Sequence, residues 1–85
     1  MSMIRELIGA VSNTQRQIDD QIAKLRSYQS EIDNVTQRVN AALSGSSGSY
    51  AQDMISKLSM TKQQISETIE KLTVAKDKLG VIQMV

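Results

Sequence analysis

A run of small residues, Leu43-Ser44-Gly45-Ser46-Ser47-Gly48-Ser49-Tyr50, splits the 85-residue chain almost at its middle, and no proline stands on either side of it. Each half carries an apolar residue at every seventh position over roughly thirty to forty residues, the repeat of a helix with a coiled-coil seam. Ser and Gly are weak helix formers and ready turn formers. The chain is therefore predicted to be all-α, an antiparallel two-helix hairpin with coiled-coil-like packing that assembles into a helical bundle. Helix 1 is expected over about 3–43, a turn at 44–49 around Gly45 and Gly48, helix 2 over about 50–79, and an apolar tail at 80–85. At ~1.5 Å per residue the arms would be ~60 and ~45 Å long. A loop of about six residues makes them antiparallel neighbours, and a seven-residue period gives a slight left-handed supercoil. One uninterrupted helix is the competing arrangement; the Ser/Gly composition of 44–49 argues against it.

In the first arm Ile4, Val11, Ile18, Leu25, Ile32 and Val39 form one column, with Ile8, Gln15, Ile22, Gln29, Thr36 and Leu43 four residues after each. Leu7, Tyr28 and Val35 widen the stripe on one flank. In the second arm Ala51, Leu58, Ile65, Leu72 and Leu79 form the leading column. Its companion is read three residues on, at Met54, Thr61, Thr68, Ala75 and Ile82, with Ile55, Lys62, Ile69 and Lys76 alternating on the other flank. Ser2 is placed to cap the first helix; Ser49 and Gln52 have the spacing of a capping box for the second. Gly9 weakens the first helix by about 1 kcal/mol relative to Ala. Gly80 is a point at which the second helix ends or loosens, and the residues after it are left open between helix, fraying and binding.

Two helices enclose little interior. Apolar residues make up 40% of the chain, yet there is no Phe, no Trp and only two Tyr. With no Cys and no His, disulfides and the usual zinc ligands are unavailable to a small scaffold. Oligomerisation is the remaining way to bury the stripes.

Ten basic residues face nine acidic ones, for a formal charge of +1. The charges are spread evenly over both arms, so no basic stripe points to nucleic acid or to an anionic membrane surface. No stretch approaches the ~20 apolar residues of a membrane span. The start Met1-Ser2-Met3-Ile4-Arg5-Glu6-Leu7-Ile8 lacks the pattern of a cleavable signal. The expected location is the cytoplasm, with any export by a route that reads no such signal.

No catalytic constellation, cofactor site or metal site is expected. A Ser nucleophile wants a nearby base, most often His, and none exists. Asp19-Asp20 point in different directions on a helix, and Glu67 with Glu70 beside Lys71 reads as a solvated face. Gly45-Ser46-Ser47-Gly48 lacks the lysine and preceding strand of a phosphate loop. Gln15, Gln29 and Thr36 admit two readings, polar layers that fix register and partner, or residues at a wetted edge. Thr61 and Thr68 are either small contacts or a boundary. Met54, Met60 and Met84, with Tyr50, fill gaps in a thin core or serve an adaptable binding surface.

Length, two amphipathic helices and the central small-residue turn resemble the small WXG-type (Esx-like) proteins of type VII secretion, most nearly the partner proteins of LXG toxins. Gly48 stands where that family's Trp-x-Gly turn has its glycine, and Ser46 where it has its tryptophan, with Tyr50 an aromatic nearby. A Tyr-x-x-x-Asp/Glu tail signal is absent: Ile32 follows Tyr28 at that spacing, and Met54 follows Tyr50. The resemblance implies a helical protein that pairs with another, often as four helices, and helps present a toxin's helical N-terminal domain to the secretion ATPase.

The expected function is accordingly a non-enzymatic secretion adaptor or targeting factor that takes a helical partner and no small-molecule substrate. A self-assembling bundle or needle-like subunit is the alternative; a fusion-type coiled coil is disfavoured because no anchor or lipidation cysteine exists. Partner binding is expected at Ile18, Ile22, Leu25 and Ile32 on the first arm and at Leu58, Ile65 and Leu72 on the second. A charge at Leu25 or Ile65 is expected to abolish assembly.

Overall fold

The computed structural model describes residues 2–45 and 49–83. Helix α1 runs Ser2–Ala42 and helix α2 runs Tyr50–Gln83, and among the described residues there is no other regular element. The two pack side by side into a rod 69 × 15 × 13 Å. The fold is an all-α helical hairpin, as the two seven-residue repeats dictate. Apolar side chains recurring at alternating three- and four-residue steps fall on one stripe of each helix, and each stripe covers the other.

The seam is narrow. On α1 it comprises Ile8, Val11, Gln15, Ile18, Ile22, Leu25, Gln29, Ile32, Thr36 and Val39, continuing to Leu43 just beyond the helix. Val11, at 5% exposure, is the one buried side chain among the described residues; the others are half-buried. Ile4 opens the first column in the sequence but is exposed. On α2 the seam comprises Ala51, Ile55, Leu58, Lys62, Ile65, Ile69, Leu72, Lys76 and Leu79.

That second set corrects the expected companion column. Met54, Thr61, Thr68, Ala75 and Ile82 are all exposed, and Ile55, Lys62, Ile69 and Lys76 take the seam instead. The physical reason is area. Level by level, Ile55, Ile69 and the two four-carbon Lys stems bury more apolar surface than Met54, Thr61, Thr68 and Ala75. Lysine tolerates such a place because its stem lies on apolar surface while its ammonium reaches water or a carboxylate.

Residue-level signals account for the ends. The Leu43 amide donates to the Val39 carbonyl at 2.9 Å, and Gly45 then adopts φ 85°. A left-handed residue after the last turn is the usual way for a helix to stop, and glycine takes it without the steric penalty of a Cβ. The expected glycine at 48 lies outside the described residues. The Asp53 amide donates to the Ser49 carbonyl at 2.9 Å, so α2 starts from the serine read as its cap, with Asp53 in the first turn where a negative charge favours the helix dipole.

At the other end, left open between helix, fraying and binding, the structure continues the helix as far as Gln83. α2 does not stop at Leu79 but passes through Gly80. One glycine costs about 1 kcal/mol in a helix, and Leu79 still sits on the seam and holds the turn in place. Residues 84–85 of the expected tail lie outside the described residues.

Candidate functional site

Register between the helices is written in two polar layers. Gln15 Nε2 donates to the Lys76 carbonyl at 3.2 Å, and Gln29 Nε2 donates to the Lys62 carbonyl at 3.3 Å and to Ser66 Oγ at 2.7 Å. At the same levels Lys76 Nζ pairs with Asp19 and Lys62 Nζ with Asp33, both at 2.7 Å. Each Gln–Asp–Lys set recurs two heptads along both helices in opposite directions, as an antiparallel pairing in one register requires. Of the two readings left open for Gln15 and Gln29, the geometry supports the polar layer. Thr36 is different: its hydroxyl donates to its own helix, at the Ile32 carbonyl, 2.8 Å away.

The seven residues expected to bind a partner, Ile18, Ile22, Leu25, Ile32, Leu58, Ile65 and Leu72, are all half-buried in the seam between α1 and α2. The hairpin brings them together against one another. Each keeps part of its surface open. The large apolar side chains that stand free are a different set, among them Leu7, Tyr28, Val35, Tyr50, Met54, Met60, Val74 and Ile82, from 40% to 76% exposed.

The long sides of the rod differ in chemistry. One side carries the ion pairs, with Asp19, Arg26 and Asp33 from α1 beside Ser59, Ser66 and Thr73 from α2. The opposite side is formed by the residue just before each Ile8-type position of α1 and each Ile55-type position of α2. It reads Leu7, Thr14, Gln21, Tyr28, Val35 and Ala42 against Ile82, Ala75, Thr68, Thr61 and Met54, with no charged residue in either row. Two apolar hollows prove that these rows share a side. Ile4, Leu7, Ile8 and Ile82 line one near the chain termini, and Val35, Val39, Ala42, Leu43 and Met54, with Arg38 at the edge, line the other near the turn.

The threonines on this uncharged side are less polar than their sequence suggests. Thr14, Thr61 and Thr68 each donate their hydroxyl to the carbonyl four residues earlier, at 3.0, 2.9 and 3.0 Å. The hydroxyl is thus occupied within its own helix, and the exposed remainder includes the methyl group. In the sequence Leu7, Tyr28 and Val35 stand as a flank while the facing row reads as part of the seam, which conceals the surface that the two rows make together.

Among the described residues no group of His, Cys, Asp or Glu is placed to hold a metal ion, and no helix is long and apolar enough to cross a membrane. Asp19, away from its sequence neighbour Asp20, is held by Lys76. Compared with protein-family models, curated proteins and solved structures, the chain matches none.

Proposed function

We propose that the chain is a non-enzymatic helix-pairing protein whose hairpin docks with helices from outside the chain to complete a bundle. In its most specific form it is a WXG-like component of type VII secretion, an adaptor or targeting factor that binds the helical N-terminal domain of an LXG-type toxin. The bundle part of this reading is carried by one observation, the surface left open. A folded monomer of 9.4 kDa is expected to expose roughly 5,000 Å², whereas this hairpin exposes 6694 Å². The excess lies along a rod whose seam is half-covered and whose uncharged side is apolar at both ends. Docked helices would cover both.

The secretion role is supported by the resemblance in length, turn position and hairpin architecture. Its test is co-expression with the protein encoded next to it, followed by light scattering of the purified material. A heteromer of defined mass is expected. A hairpin that purifies alone at the mass of one chain would remove the adaptor reading. The second reading, a self-assembling structural bundle, is favoured by the absence of charge along one side, because like surfaces then meet without repulsion. Filaments growing with concentration would select it.

A further inference from the structure

We infer that each Gln-x-x-x-Asp pair of α1, Gln15 with Asp19 and Gln29 with Asp33, is a two-point site for a lysine of the facing helix, and that these two sites select which helix α1 accepts and in which register. Both sites lie in the seam and on the ion-pair side, away from the surface proposed for docking. They act within one hairpin, whatever lies outside it.

Each lysine is held twice. Gln15 Nε2 donates to the carbonyl of Lys76 at 3.2 Å while Asp19 takes the ammonium of the same residue at 2.7 Å. Gln29 and Asp33 hold Lys62 in the same way, at 3.3 and 2.7 Å. A helix carbonyl bonded within its own helix keeps a second lone pair for the carboxamide. Lysine leaves that lone pair open: its stem is unbranched at Cβ, the aspartate draws it toward the ion-pair side, and its ammonium stays wetted. Isoleucine at the same level is branched at Cβ, crowds the half-buried carboxamide and offers nothing to the aspartate.

The other layers obey the same matching. Ile22 lies seven residues from each Gln and Ile69 seven from each lysine, so in this register the two isoleucines face each other. Thr36 shares a hollow with Ile55. Four residues after Ile22 comes Arg26, where a lysine would need an acid. Sliding the helices by one heptad, in either direction, sets Gln29 against Ile55 or Ile69 and a lysine against Ile22, next to Arg26. Carboxamides then lose their acceptors and like charges meet. α2 is also barred from pairing with another α2 in the antiparallel register centred on Ile69. Lys62 would face Lys76, and Ser59, Ser66 and Thr73 on the flank supply no acid. What α1 accepts is therefore an apolar heptad stripe bearing lysines fourteen residues apart, and in this chain that stripe is α2.

The test moves one site by a heptad without changing composition. An α1 exchange (Gln15→Ile, Asp19→Arg, Ile22→Gln, Arg26→Asp) and an α2 exchange (Ile69→Lys, Lys76→Ile) are made singly and together in the full chain. Urea unfolding is followed by circular dichroism at one protein concentration. Each exchange alone should lower the folding equilibrium constant at least about tenfold, because it parts a carboxamide and a lysine from their partners. Both together rebuild the site one heptad along and should return the constant to within about threefold of wild type. Wild-type stability in either single exchange, or losses that multiply in the combined form instead of cancelling, would overturn the lysine sites and leave Gln15 and Gln29 as residues of a wetted edge. If a single exchange abolishes folding, the combined form still decides: a cooperatively folded hairpin supports the sites, and an unfolded chain overturns them. None of the exchanged positions lies on the uncharged side, so failure here leaves the bundle reading standing.

Discussion

Lys62 and Lys76 occupy seam positions that a hairpin normally gives to apolar side chains, and their ammonium groups leave the seam to reach Asp33 and Asp19. Both partners of each pair keep a third to a half of their side chains exposed, so each ion pair contributes only about 0.2–1 kcal/mol after screening. Lys62→Met and Lys76→Met keep the packed stem and delete the charge. Each is expected to change stability by less than about 1 kcal/mol in urea unfolding; a much larger loss would mean that the charge, not the stem, holds the seam. The glycines divide by environment. A Cβ at Gly9 meets nothing within 4 Å, and one at Gly80 meets only Gln15 Nε2 at 3.6 Å, an ordinary contact. Gly9→Ala and Gly80→Ala should each raise stability by up to about 1 kcal/mol, read as a higher melting temperature. Gly45→Ala should lower it by about 1–2 kcal/mol, because φ 85° is a left-handed conformation.

At the scale of the elements, the hairpin was legible from two repeats and one Ser/Gly break, because periodicity fixes which stripe of a helix turns inward. The exact stripe of α2 was not. Thr61 and Thr68 looked admissible and Lys62 and Lys76 did not, since charge obscures the apolar stem that packs. The end of α2 was left open for a related reason: the cost of Gly80 is local, whereas the half-burial of Leu79 in the seam comes from the other helix. Seam residues also limit what mutations reveal. Ile65→Asp buries an uncompensated charge between α1 and α2 and is expected to abolish most far-UV helical signal, whether or not an external partner exists. Preserved helicity in that variant would show that the seam is looser than its half-buried residues imply. Loss of assembly on charging Leu25 or Ile65 therefore reports the hairpin first, and variants on the exposed rows are the ones that report docking.

For the molecule as a whole, the relation of surface to mass governs everything else. Two helices with one buried side chain among the described residues enclose little interior, and no disulfide exists to compensate. The chain divides its exterior into a charged side and an uncharged one, and the proposed docking helices would have the uncharged one to lie on. None of this was readable from either arm separately; it appears only when the antiparallel register sets Leu7 beside Ile82 and Val35 beside Met54. The central claim is that the hairpin is one component of a larger bundle. It is tested most directly by the solution mass of the chain, alone across concentrations and again after co-expression with its encoded neighbour. The account predicts a mass above the 9.4 kDa of one chain in both cases, replaced by a defined heteromer where a cognate helical partner is present. A well-folded hairpin that keeps the mass of one chain under both conditions would contradict it.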